Sequence, residues 1–158
     1  NTAKNLVLKN CTITRGRNVN GSNFYGGGGI SNNGGYVFLY DCLVERNSAF
    51  LGGGFLNKNG GRMFCIGTTF KDNRTESTEG GGGAGENYGS TSYLVLNNST
   101  FSNNKSTERG GAVNNCVDAK MYVVNSTFTG NYVYGQYDNN SWSHRGGAVG
   151  TRGLLVSV

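Results

Sequence analysis

Apolar and polar residues in this chain fall into short blocks that return at nearly constant intervals. An aliphatic triplet, a turn residue and a further apolar anchor recur five times. The copies are LVLKNCTI at 6–13, VFLYDCLV at 37–44, MFCIGTTF at 63–70, LVLNNSTF at 94–101 and MYVVNSTF at 121–128. A sixth block opens with LLVSV at 154–158. The anchors Ile13, Val44, Phe70, Phe101 and Phe128 stand 31, 26, 31 and 27 residues apart. Blocks this short, with no helical spacing, predict strands, and a fixed interval of this length predicts a stacked repeat.

Each column of the repeat carries a structural expectation. Leu8, Leu39, Cys65, Leu96 and Val123 share one position and are expected to point inward. Two residues later stand Asn10, Asp41, Gly67, Asn98 and Asn125. These residue types tolerate a left-handed backbone, so the column predicts a bend between two short strands. Asn47, Asn73, Asn104 and Asn131 follow their anchors by three residues, with Gly16 in the first copy. Asn32, Asn57, Asn87 and Asn115 form a second asparagine column after a glycine-rich motif. Stacked amides can hydrogen-bond from coil to coil, so both columns predict ladders at corners. The pattern fits an all-β fold: a single-stranded parallel β-helix (β-solenoid) of about five coils plus a partial sixth, with about three short strands in each coil. Residues 1–158 then form one β-helix domain.

Two motifs alternate along the chain. FKDN (70–73), FSNN (101–104) and FTGN (128–131) fit F-x-x-N. GGAV (110–113 and 146–149) and GGGI (27–30) fit GGA[ILV]. In this respect the sequence resembles the polymorphic outer membrane protein repeat family. The resemblance spans nearly the whole chain. It implies a right-handed parallel β-helix on a cell surface, used for adhesion or as a structural stalk. The first two blocks carry Ile13 and Val44 in place of Phe, and GGAG at 82–85 lacks the final aliphatic.

Composition agrees with an ordered but unusual core. Glycine reaches 28 of 158 residues, proline is absent and 35% of the chain is apolar, yet there are 9 Tyr and 8 Phe. Disorder usually brings more charge and fewer aromatics than this. The net charge of +5 is scattered, with no run of Lys or Arg to suggest nucleic acid. No apolar stretch is long enough for a membrane helix. The glycine motifs lack the Lys-Ser/Thr that a phosphate loop requires, and their copies lack the Asp of calcium-binding repeats. Glycine here predicts close packing of strands.

The chemistry-bearing residues point away from catalysis. The nine acids include no pair in equivalent columns of neighbouring coils, which carbohydrate cleavage on such a scaffold would need. His144 is the only histidine and has no matching nucleophile. No catalytic residue, metal ligand or cofactor is therefore assigned. A carbohydrate-active β-helix enzyme, a polysaccharide lyase or hydrolase, is the alternative to a structural or adhesive module. A third reading is a glycan-binding module built on the long segment 132–145. That segment gathers Tyr132, Tyr134, Tyr137, Trp142 and His144, which either stack on a sugar or partner, or cover the flank of the coil.

Cys11 and Cys42 share a column in neighbouring coils, and a stacking distance of about 4.8 Å permits a disulfide. The sequons at Asn20 and Asn139 lie in long loops, and those at Asn10, Asn98 and Asn125 lie at the bends. All five are candidate N-glycosylation sites of an extracellular or cell-surface protein. Asn73 and Asn104 also stand in sequons, but in the ladder column, where protection is expected. Both chain ends lie near or within a strand block without a polar cap. This suggests either a segment of a longer solenoid or protomers that self-associate head to tail through open ends into a fibre.

Overall fold

The computed structural model describes residues 4–18, 26–76, 81–135 and 146–157. Its strands wind into a parallel β-solenoid of four sheets, one of six strands and three of five. Each of five coils contributes one strand to every sheet, and the partial sixth adds Leu154–Ser157 to the first sheet, so a full coil holds four strands rather than the three expected from the sequence. The fourth is a two-residue strand, too short to leave a periodic signal.

The first sheet takes the aliphatic triplets, in strands such as Tyr36–Tyr40, Arg62–Ile66 and Tyr93–Asn97. The second takes the anchors, in Leu43–Glu45, Thr69–Lys71 and Thr100–Ser102. The two-residue strands Arg17–Asn18, Ser48–Ala49, Arg74–Thr75, Lys105–Ser106 and Tyr132–Val133 make the third. The fourth runs through Ile30–Asn33, Phe55–Lys58, Gly85–Tyr88, Val113–Cys116 and Val149–Thr151. All pairings are parallel and in register, with Leu39 opposite Cys65 and Phe70 opposite Phe101.

The bend column behaves as its chemistry dictates. Asn10, Asp41, Gly67, Asn98 and Asn125 all have positive φ, from 45° to 62°. A second bend separates the second and third sheets, with positive φ at Arg15, Arg46, Asp72, Asn103 and Gly130. Arginine is an uncommon residue in this conformation, and the sequence marked this corner only through the asparagine column one residue later.

The interior is a stack of like side chains. Leu39, Leu94, Leu96, Met63, Phe70 and Phe101 are fully buried. The rings of Phe70, Phe101 and Phe128 pile at centroid spacings of 4.7 and 4.8 Å, within 7° of parallel. The missing aliphatic of the 82–85 motif has a neighbour's ring in its place. A Cβ on Gly85 would collide with the Phe55 ring from the preceding coil, so Phe55 fills the space of two residues.

Both asparagine ladders form. In one, Asn47 Nδ2 donates to Asn73 Oδ1, Asn73 Nδ2 to Asn104 Oδ1 and Asn104 Nδ2 to Asn131 Oδ1, at 2.9–3.0 Å. The same Oδ1 atoms accept backbone N–H groups of Asn47, Asn73 and Asn104. In the other, Asn32, Asn57, Asn87 and Asn115 are linked at 2.7 Å. Buried amides satisfied in this way tie each coil to the next where burial alone would be penalised.

The glycine pair serves two close approaches. A Cβ on Gly82 would strike the carbonyl of Gly85 in its own turn. A Cβ on Gly83 would strike the Gly111 carbonyl in the next coil and lie 2.6 Å from Lys105 N of the third sheet. The repeated motif thus seats the return segment directly on neighbouring backbone.

Candidate functional site

The third sheet turns one column outward: Arg17, Ser48, Arg74, Lys105 and Tyr132, paired in register through successive coils. Two-residue strands leave room for little but backbone and one outward side chain, so the character of this flank is set by that column. Glu76 and Tyr134, each two residues beyond a column member, lean back over it. Together Arg17, Arg74, Glu76, Lys105, Tyr132 and Tyr134 line an open groove of ≈ 460 Å³.

Electrostatics organise the groove. Glu76 accepts hydrogen bonds from Arg17 Nη2 at 3.2 Å and from Arg74 Nε at 2.9 Å and Nη2 at 2.6 Å. Partial burial pushes the Glu76 carboxyl up, but the bonds from Arg74 and Arg17 outweigh it and hold the group below its ordinary range. One carboxylate therefore orients two guanidiniums from coils two apart, and each keeps N–H groups aimed elsewhere. The Lys105 ammonium sits 5.3 Å from the centroid of the Tyr132 ring, and hydrogen bonding with Tyr132 raises its pKa. Tyr134 Oη donates to the Thr75 carbonyl at 2.7 Å, and its ring meets Tyr132 edge-on at 6.4 Å. Three cations face one acid, with two exposed tyrosine rings at one end.

The structure brings two of the five residues of the expected aromatic segment, Tyr132 and Tyr134, to this groove. Tyr137, Trp142 and His144 lie outside the described residues. The sequence pattern missed the cations, because Arg17, Arg74 and Lys105 are far apart along the chain. Aligning the residue four positions after each anchor recovers Arg17, Ser48, Arg74, Lys105 and Tyr132, and that is the signal that could have found them.

The expected disulfide is not formed. Cys11 and Cys42 sit in adjacent coils as the column requires, but both are free thiols. Cys11 Sγ donates to the Lys9 carbonyl at 3.1 Å and Cys42 Sγ to the Tyr40 carbonyl at 3.3 Å. Ser99 Oγ makes the equivalent bond to the Asn97 carbonyl two residues before it, at 3.0 Å. The column is a hydrogen-bonding position, and the thiols occupy it as hydroxyls do in later coils.

Among the glycosylation candidates, Asn10, Asn98 and Asn125 are exposed at the positive-φ bend. Asn20 and Asn139 lie outside the described residues. Asn73 and Asn104 are fully buried in the ladder.

A second polar feature lies on the outer side of the fourth sheet. Glu86 pairs in register with Leu56 and Asn114, is 2% exposed and has no partner for Oε2. Its Oε1 accepts from Asn114 Nδ2 at 3.3 Å and from Cys116 Sγ at 3.5 Å. Burial, only partly offset by Cys116, Arg109 and Asn114, pushes the carboxyl up to about 7. The same pair raises the Cys116 thiol to about 12, through burial first and the Glu86 charge second. Sequence reasoning counted Glu86 only as one of nine acids without a pair in a neighbouring coil. Leu56 one coil below it was the available sign of cover.

Among the described residues no three His, Cys, Asp or Glu side chains are placed to hold a metal ion. None of the described residues forms a helix long and apolar enough to cross a membrane, which says nothing of a β-barrel. No family model, no curated protein and no solved structure matches the chain.

Proposed function

We propose that this protein is a non-catalytic, extracellular or surface-associated β-solenoid that serves as an adhesive rod. The observation that carries the reading is the groove on the third-sheet flank, where stacked coils place Arg17, Arg74 and Lys105 in one outward column closed by Tyr132 and Tyr134. A solenoid repeats such a column without cost to its interior, because the outward side chain is independent of the core. The resemblance to surface-protein repeats supports the same reading, as do the exposed sequons at Asn10, Asn98 and Asn125, which we propose as glycan acceptors together with Asn20 and Asn139.

The test is adhesion of beads coated with the purified protein to cell surfaces and extracellular polymers. Native beads are expected to adhere, and beads bearing Arg74→Ala with Tyr134→Ala are expected to lose adhesion at an unchanged thermal midpoint. Equal adhesion of the variant, or release of soluble sugar fragments from a polysaccharide, overturns the proposal. Intact mass of secreted material tests the sequons, and a mass equal to the bare polypeptide rejects them.

A further inference from the structure

The groove has a chemistry more specific than general stickiness. Three cations stand against one acid, so the groove is complementary to a negative ligand. Arg74 and Lys105 are nearest neighbours in adjacent coils, about 4.8 Å apart along the axis, and Arg17 lies two further coils along. The charge thus forms a line along the rod and suits a polymer better than a single small anion. Glu76 sits inside this line. Arg17 and Arg74 already donate to its carboxylate; a ligand that offers only anionic oxygens brings like charge to it and no further donor, whereas a ligand with hydroxyl groups supplies one. The two tyrosine rings, both exposed, add an apolar surface on which the face of a sugar ring can lie. Hydroxyls, fixed anions and an apolar ring face occur together in acidic polysaccharides.

We infer that the groove lined by Arg17, Arg74, Glu76, Lys105, Tyr132 and Tyr134 binds an anionic pyranose polymer, a sugar chain bearing carboxylate or sulfate groups. This rests on the adhesive reading and adds the ligand class to it. Arg17 and Arg74 take the anionic groups with the N–H donors that Glu76 leaves free. Lys105 takes the next anion, and Glu76 accepts from a sugar hydroxyl. Tyr132 and Tyr134 cover one ring at the end of the groove.

The experiment measures retention of the purified chain on immobilised alginate, a uronate polymer, and on dextran sulfate, with neutral dextran and polyphosphate as controls. Retention on alginate or dextran sulfate, release by added salt and no retention on dextran are the expected results. Which acidic polymer binds identifies carboxylate or sulfate as the source of charge. Arg74→Gln with Lys105→Gln should weaken binding at least tenfold at an unchanged thermal midpoint. Tyr132→Ala with Tyr134→Ala should weaken binding to the acidic sugar but not to polyphosphate. Equal retention on dextran, loss of affinity on polyphosphate as large as on the sugars in the tyrosine variant, or no retention on either acidic polymer overturns the inference. Beads that still adhere through the groove while neither acidic polymer binds end this inference and leave the adhesive reading standing.

Discussion

The two flanks of the coil place one glutamate each in opposite circumstances. On the third-sheet flank Glu76 faces a groove and is held by Arg17 and Arg74. On the fourth-sheet flank Glu86 is covered, and one of its carboxyl oxygens has no partner. The first carboxyl is driven below its ordinary range and the second is pushed up to about 7. Both flanks use the same parallel ladder. The difference comes from cover: in the return segment Gly81 lies so close to Glu86 Oε2 that a Cβ there would overlap it, whereas the Arg17 and Arg74 side chains around Glu76 stay exposed. An outward position in a solenoid is therefore an open groove wall or a buried liability according to what lies over it.

The largest effect should come from breaking the seat of that segment. Gly83→Ala places a methyl group against the Gly111 carbonyl and the Lys105 backbone, which cannot move aside as a side chain end can. A loss of about 3 kcal/mol is expected, read as a lower urea midpoint. An unchanged midpoint would show that the glycine pair is not needed for close approach.

Glu86 tests the covered flank. Its folded pKa lies above the unfolded value, so its favourable contribution is fully present below about 4.3 and is lost as pH rises to about 7. The urea midpoint should therefore fall across that window and level off above it. Glu86→Leu, which copies Leu56 in the neighbouring coil, should remove this slope. It should also raise stability at pH 8 by on the order of 3 kcal/mol. A variant that keeps the slope, or is less stable at pH 8, contradicts the assignment.

Glu76 gives the smaller and opposite response. Its folded pKa is depressed, so its contribution is present at neutral pH and disappears as pH falls through the folded value. The arginines it holds are exposed, with side chains 63% and 57% accessible, so Glu76→Gln should cost at most about 1 kcal/mol. A larger loss in thermal unfolding would mean that the groove is a structural clasp rather than a binding surface.

Thiol labelling gives the finest comparison. Under native conditions Cys11, half-buried and in the first coil, should react with an alkylating reagent well before Cys116, whose thiol is raised to about 12 beside Glu86. Cys65, fully buried and also raised, should stay protected until the solenoid opens. Equal rates for the three would indicate that the covered flank is open to solvent.

Much of the fold was legible because a repeat prints each structural requirement several times. Asn73 or Asn104 alone says little, but their column with Asn47 and Asn131 names a ladder. The anchor column, the positive-φ bend and the packing role of the glycines were readable for the same reason. The two-residue strands were not, since no periodicity can be measured over Arg74–Thr75. The column of Cys11 and Cys42 gave proximity without specifying where the sulfur points, and both are free thiols directed at a carbonyl two residues back. Of the groove, the sequence offered Tyr132 and Tyr134 as aromatics in a long segment. Arg17, Arg74 and Lys105 were hidden as single charges separated by whole coils.

The sequence by itself determined the solenoid, because interior columns must satisfy the same packing and hydrogen-bonding demand in every coil and so repeat the same residue types. Only the tertiary structure decided which outward residues work together. Those positions carry no repeated demand. Their meaning depends on which neighbours lie over them, which leaves Glu76 between two arginines and encloses Glu86 with one carboxyl oxygen unpartnered.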